Sequence, residues 1–276
     1  GTRGAYELTT PLDSVEVPAT VQALLAARID RLGEREKQVL YTAAVIGKEF
    51  ARPLLEAVIE MTADDLDAAL SALLAAELIN ERSIYPVAEY SFKHPLTHEV
   101  ALHAQLGSAR RTRHAAVAGA IEAASHDQLD ERAGLLAHHW QEAGDALKAA
   151  TWHVRAARWV RSSDLAASRR HWAQARKLLV ALPDSRERTG LLLAVYPQLI
   201  DMLDRLGAPV EESSAVFSEG VDLAKRSGDG RTQGLIEAAY GHLMISQNDF
   251  ESAVEHAGHA VELADAAGDR PLRLFA

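Results

Sequence analysis

Apolar positions along this chain recur mostly at three- and four-residue intervals, the spacing that lines one face of an α-helix. Val21, Leu24, Leu25, Arg28, Ile29 and Leu32 keep it after Pro18, a residue suited to a first helical turn, and Gly33 punctuates the end. Val39, Leu40, Ala43, Ala44 and Ile46 predict a second helix stopped at Gly47, and Leu54, Leu55, Val58 and Ile59 a third. Thr62 is placed to cap a fourth, with Asp64 and Asp65 in its first turn and Leu66, Leu70, Leu73 and Leu74 on its buried face. After Glu77 the period changes. Residues 78–84 and 88–92 predict two short strands around a turn at Tyr85-Pro86. Three helices and then a β-hairpin, over residues 34–105, give the outline of a winged-helix domain. Residues 9–16, with Pro11, Asp13 and Ser14, form a linker ahead of it.

From residue 106 to the end no strand pattern appears, and alanine-rich helices follow one another with short breaks. Gly144-Asp145 leads to Ala149 and Ala156, and Asn248-Asp249 leads at the same offsets to Ala253 and Ala260. Ser227-Gly228-Asp229 and Ala267-Gly268-Asp269 lie 40 residues apart, as do Gly207 and Gln247. The stretch from Asp164 to Leu182 predicts one more helix, broken by Pro183-Asp184-Ser185. Glycine or asparagine at a turn takes the left-handed cap cheaply, and small alanines let paired helices approach. The expected architecture is mainly α: a winged-helix domain with a small β-hairpin, then an α-solenoid of helical hairpins over 106–276. These resemble tetratricopeptide (TPR) repeats with helices longer than the usual ~34-residue unit gives.

Composition narrows the function. The 276 residues carry 29 Lys+Arg against 39 Asp+Glu, a net charge of −10, which argues against a dedicated nucleic-acid binder. The helix that would read DNA carries Asp64, Asp65, Asp67 and Glu77 outside, and no Lys or Arg occurs between Arg52 and Arg82. The absence of cysteine excludes disulfides and thiolate chemistry and fits a reducing, cytoplasmic setting. The longest uncharged stretch, Thr189–Ile200, falls short of the ~20 apolar residues of a membrane span. The chain starts at Gly1 without a hydrophobic signal core and ends on Pro271-Leu272-Arg273-Leu274-Phe275-Ala276, which looks like a helix opening. It reads as an internal piece of a longer protein.

No phosphate-binding Gly-x-x-x-x-Gly-Lys-Ser/Thr loop occurs, and no nucleophilic triad is suggested, so this chain is expected to be non-catalytic. His94 and His98 are four apart with Glu99 adjacent, but no third ligand is placed. Like His138-His139, they read as surface or core histidines, and no metal is assigned. A basic stripe runs through Arg155, Arg158, Arg161, Arg169, Arg170, Arg176 and Lys177 with only Asp164 against it, interleaved with Trp152, Trp159 and Trp172. Its arginines 155, 158, 161, 169 and 170 are candidates for binding an acidic partner. The plainer reading is a solvated face with core tryptophans, and the acidic segment 201–269 is a possible complement within the chain.

Several stretches resemble one family: 17–32 (Val17-Pro18-Ala19-Thr20 through Leu32), 43–50 (Ala43-Ala44-Val45-Ile46-Gly47-Lys48-Glu49-Phe50), 89–101 (Glu89-Tyr90-Ser91-Phe92-Lys93-His94-Pro95 through Ala101), 110–114 and 136–140. They are similar to the region after the ATPase core in bacterial adenylate/guanylate cyclase proteins with AAA-type ATPase and TPR regions. LuxR-type ATP-dependent activators contain similar regions. The resemblance implies a regulatory part of a signal-transduction ATPase of the STAND class, with ATP or ADP bound in the parent protein and no cofactor in this chain. It also implies that 1–33 is a linker and the last helix of the ATPase lid, and that the ATPase domain of the same polypeptide is one partner. A protein or inducer on the helical array would be another. Phe92-Lys93-His94 matches a Phe-x-His motif, which makes His94 the implied sensor of a nucleotide phosphate. The alternative parent is a LuxR-type transcription activator whose sensor half this chain would be. The tail departs from the repeat consensus at His153 and Gly258.

Overall fold

The computed structural model describes residues 19–124 and 128–276; the linker at 9–16 and Pro18 lie outside them. Contacts group the residues up to Ala120 as one compact unit and those from Ile121 as a second.

The first unit opens with α1 (Ala19–Asp30), whose apolar stripe is only partly used. Ile29 is fully buried, whereas Val21 and Leu24 are 40% and 68% exposed, and Arg28 donates to the Ala76 carbonyl oxygen at 2.7 Å instead of lining the core. Next come α2 (Glu34–Ile46), β1 (Glu49–Ala51), α3 (Arg52–Val58), α4 (Ala63–Ala75), β2 (Ile79–Ser83), β3 (Glu89–Phe92), α5 (Pro95–His103) and α6 (Gly107–Ala124), whose residues from Ile121 on are grouped with the second unit. The stop at Gly47 (φ 154°) and the Thr62 cap, accepting from the Asp65 N–H at 3.2 Å, follow from local sequence. The expected two-stranded hairpin gains a third strand, because β1 pairs antiparallel with β3 and the order is β1-β3-β2. Three residues are too few to show alternation, so this strand exists only through its partner. Alternation on β3 turns Tyr90 and Phe92 inward. There Phe50 stacks on Tyr90 at 5.7 Å and meets Phe92 edge-on at 6.0 Å, above a core of Leu40, Leu55, Leu66, Leu70 and Leu73.

The second unit is helical throughout its described residues: α7 (Ala133–Ala143), α8 (Ala146–Val160), α9 (Leu165–Val180), α10 (Arg186–Arg205), α11 (Val210–Ser227), α12 (Gly230–Ser246), α13 (Phe250–Ala267) and α14 (Arg270–Phe275). Each packs on the next as a hairpin. The even-numbered helices α8, α10, α12 and α14 also touch in series, with odd-numbered ones flanking them. Trp172, Leu179, Leu192, Tyr196, Leu203, Ile236 and Leu243 belong to one continuous apolar core. A strict 40-residue period relates α11 and α12 to α13 and α14; the earlier helices differ in length and break it. No described helix is long and apolar enough to cross a membrane.

Candidate functional site

The most elaborated concavity of the helical unit lies between α7, α8 and α9, an open groove of about 620 Å³ whose lining includes His138, Gln141, His153, Arg170, His171, Gln174 and Lys177. A polar relay crosses it. Gln174 Nε2 donates to Gln141 Oε1 at 2.8 Å, and His153 Nε2 faces the same oxygen at 3.4 Å. That oxygen can only accept, so His153 carries its proton on Nε2. Its Nδ1 is then an acceptor, and His171 Nδ1, 2.9 Å away, is the donor. His153 is neutral in this arrangement. Burial, then the neighbouring His171 and His138, lower the His153 pKa to about 4; burial and Arg170 lower that of His171. The position that departs from the repeat consensus is thus a buried imidazole tied across a hairpin.

The basic stripe divides. Arg161 pairs with Asp201 at 2.9 Å, Arg169 with Glu212 at 2.7 Å, Arg176 with Glu219 at 2.6 Å, and Arg155 with Asp130. Arg169/Arg176 on α9 and Glu212/Glu219 on α11 are each seven residues apart, so the two pairs form rungs two turns apart. The acidic segment 201–269 therefore supplies counterions for three of these cations. Arg158 lies 6.0 Å over the Trp172 ring, and among the described residues Arg170 has only Asp164 within ion-pair reach, at 3.9 Å. No described carboxylate lies within salt-bridge reach of Lys177 or Arg158, which leaves the groove edge cationic. The tryptophans separate likewise: Trp172 is fully buried, while Trp159 is 53% exposed. Trp152 and Trp140 both donate to Glu122 Oε1, at 2.9 and 2.6 Å.

In the first unit His94 is the N-cap residue of α5, exposed and with no side-chain capping bond. His98 is committed inward: its Nε2 meets the Ala44 carbonyl oxygen at 2.9 Å, its ring packs edge-on to Phe92 at 5.1 Å, and burial lowers its pKa. On α4, Asp65 is met by Arg35 and Asp67 by Arg52, both at 2.6 Å, so nearby cations are spent on its acid face; Glu77, expected on the same helix, lies past its end with φ 55° and is met by Lys93 at 2.9 Å.

Sequence reading passed over one grouping, Glu237 on α12 with His256 and His259 on α13. The i,i+3 histidines were the available signal; the carboxylate that joins them comes from the preceding helix.

No family model and no curated protein matches the chain. One similar solved structure is that of a STAND protein with a tetratricopeptide repeat sensor from Pyrococcus horikoshii. It is 11% identical, covering 95% of this chain and 49% of that one, with a TM-score of 0.38. The chain thus spans about half the length of that protein.

Proposed function

We propose that this chain is a non-catalytic regulatory and interaction region of a multidomain, cytoplasmic signal-transduction ATPase of the STAND class, linked to an adenylate/guanylate cyclase. In this reading residues 34–105 of the first unit form a winged-helix domain; their element order, α2-β1-α3-α4-β2-β3, supports that assignment. The helical unit is a TPR-like array whose cationic groove edge, at Arg170 and Lys177, takes an acidic segment of a partner or inducer. The observation that carries the switch role is the state of His94. It lies two residues past the end of β3, is exposed, and uses none of its ring to cap α5, which leaves the imidazole available to a phosphate held by another domain. Loss of that contact on nucleotide exchange would release the domain.

The test is His94→Ala in the parent protein with its ATPase domain. ADP should dissociate faster and basal output rise. Unchanged ADP release and output remove His94 from the switch. Cyclic-nucleotide formation by the same parent decides the cyclase link.

A further inference from the structure

Glu237 is a carboxylate in a place that should not hold one alone. Its side chain is 6% exposed on the buried face of α12, and the described groups within ion-pair reach are two imidazoles, with no Lys or Arg among them. A carboxylate so far from water requires a compensating positive charge or strong donors. His256 Nδ1 lies 2.7 Å and His259 Nδ1 3.9 Å from Glu237 Oε2, and the three candidate ligand atoms all lie within 4.8 Å of one another. The geometry points to a divalent-cation site of the zinc class formed by Glu237, His256 and His259, which fastens α13 to α12. The inference is independent of the function proposed above.

Four features support it. The histidines are three residues apart on one helix, so both rings reach the same point on α12. Ligand atoms around an ion bound at ~2.0–2.2 Å in tetrahedral geometry stand about 3.3–3.5 Å apart. The two histidine–carboxylate separations, 2.7 and 3.9 Å, bracket that spacing, and the three ligand atoms all lie within 4.8 Å of one another. The His256 ring is held by its surroundings: Phe217 and Tyr240 meet it edge-on at 5.0 and 4.9 Å, and the Tyr240 hydroxyl bonds Ser214 at 2.7 Å. Such outer contacts fix a ligand's orientation before the ion arrives. Finally, the His259 side chain is 50% exposed, which gives an entry path and leaves a fourth position to water. Two imidazoles and one carboxylate suit Zn²⁺, Co²⁺ or Ni²⁺ over Ca²⁺ or Mg²⁺, which prefer oxygen throughout.

The experiment titrates the 276-residue chain with Zn²⁺ against a chromophoric chelator, and with Co²⁺ read by its visible absorption. One equivalent should bind, and Zn²⁺ should raise the melting temperature. His259→Ala, at a half-exposed position, should fold as judged by circular dichroism yet bind at least about tenfold more weakly, since even outer-shell changes cost 10–100-fold. It should also lose the Co²⁺ absorption and the Zn²⁺-induced melting shift. Glu237→Gln should do the same; if it fails to fold, His259→Ala decides alone. His103→Ala, on α5, should bind as the unaltered chain does. Absence of stoichiometric uptake overturns the site, as does wild-type affinity in His259→Ala, which would place the ion on other histidines.

Discussion

At the scale of single residues, one short device is used four times. Gly144, Gly228, Asn248 and Gly268 all have left-handed backbones, with φ of 86°, 72°, 62° and 65°. Each is followed by an aspartate, and Asp145, Asp229, Asp249 and Asp269 each accept a backbone N–H three residues on. The N–H of each aspartate also reaches back to a carbonyl of the helix just finished: Trp140, Ala224, Met244 and Ala264. Two residues thus close one helix and open the next. Asp229→Ala should cost about 1 kcal/mol of unfolding free energy and Gly228→Ala about 1–2 kcal/mol, both measured by urea denaturation, whereas Asn248→Gly should cost nothing. His153 makes a second prediction at this scale. Its folded pKa, about 4, lies below the unfolded value near 6.5, so the unfolded chain takes up the proton first. Stability present above pH ~6.5 should therefore be lost as pH falls toward 4, and His153→Gln should flatten that part of a stability–pH curve. The device at the turns is local and so legible in sequence. The His153–His171 pair, 18 residues apart across a hairpin, is not.

At the scale of elements, helix spacing is set where a side chain is missing. A methyl group added at Gly220 on α11 would stand 2.9 Å from Tyr196 Cγ and 3.1 Å from Ile236 Cδ1. Gly220→Ala should therefore destabilise the helical unit by about 1–3 kcal/mol, read from the denaturant midpoint, despite its better helix propensity; a midpoint that rises would show that α10 and α12 yield freely. Periodicity revealed where most helices lie because each presents a long apolar stripe. It gave no sign of β1, whose three residues acquire meaning only beside β3, nor of the exposure of Val21 and Leu24 on α1, whose pattern alone predicts burial. The counterions of the basic stripe were hidden for the same reason: Arg169 and Glu212 are 43 residues apart and meet through the stacking of α9, α10 and α11.

At the scale of the whole molecule, the purified chain should neither consume ATP nor form cyclic nucleotide in coupled-enzyme and chromatographic assays. Turnover would place catalytic chemistry among residues that sequence reasoning left without a role. What the sequence determined unaided was everything carried by neighbours in the chain: helix periods, Gly/Asn-Asp turns, the Thr62 cap, the alternation of Tyr90 and Phe92, and the charge balance. What only the tertiary structure decided was which distant groups meet. It ties His98 to Ala44, joins His153 to His171, pairs Arg176 with Glu219, and sets Glu237 against His256. The reason is one of range: propensity and capping act within about one helical turn, whereas the encounter of two side chains depends on the register of whole packed helices.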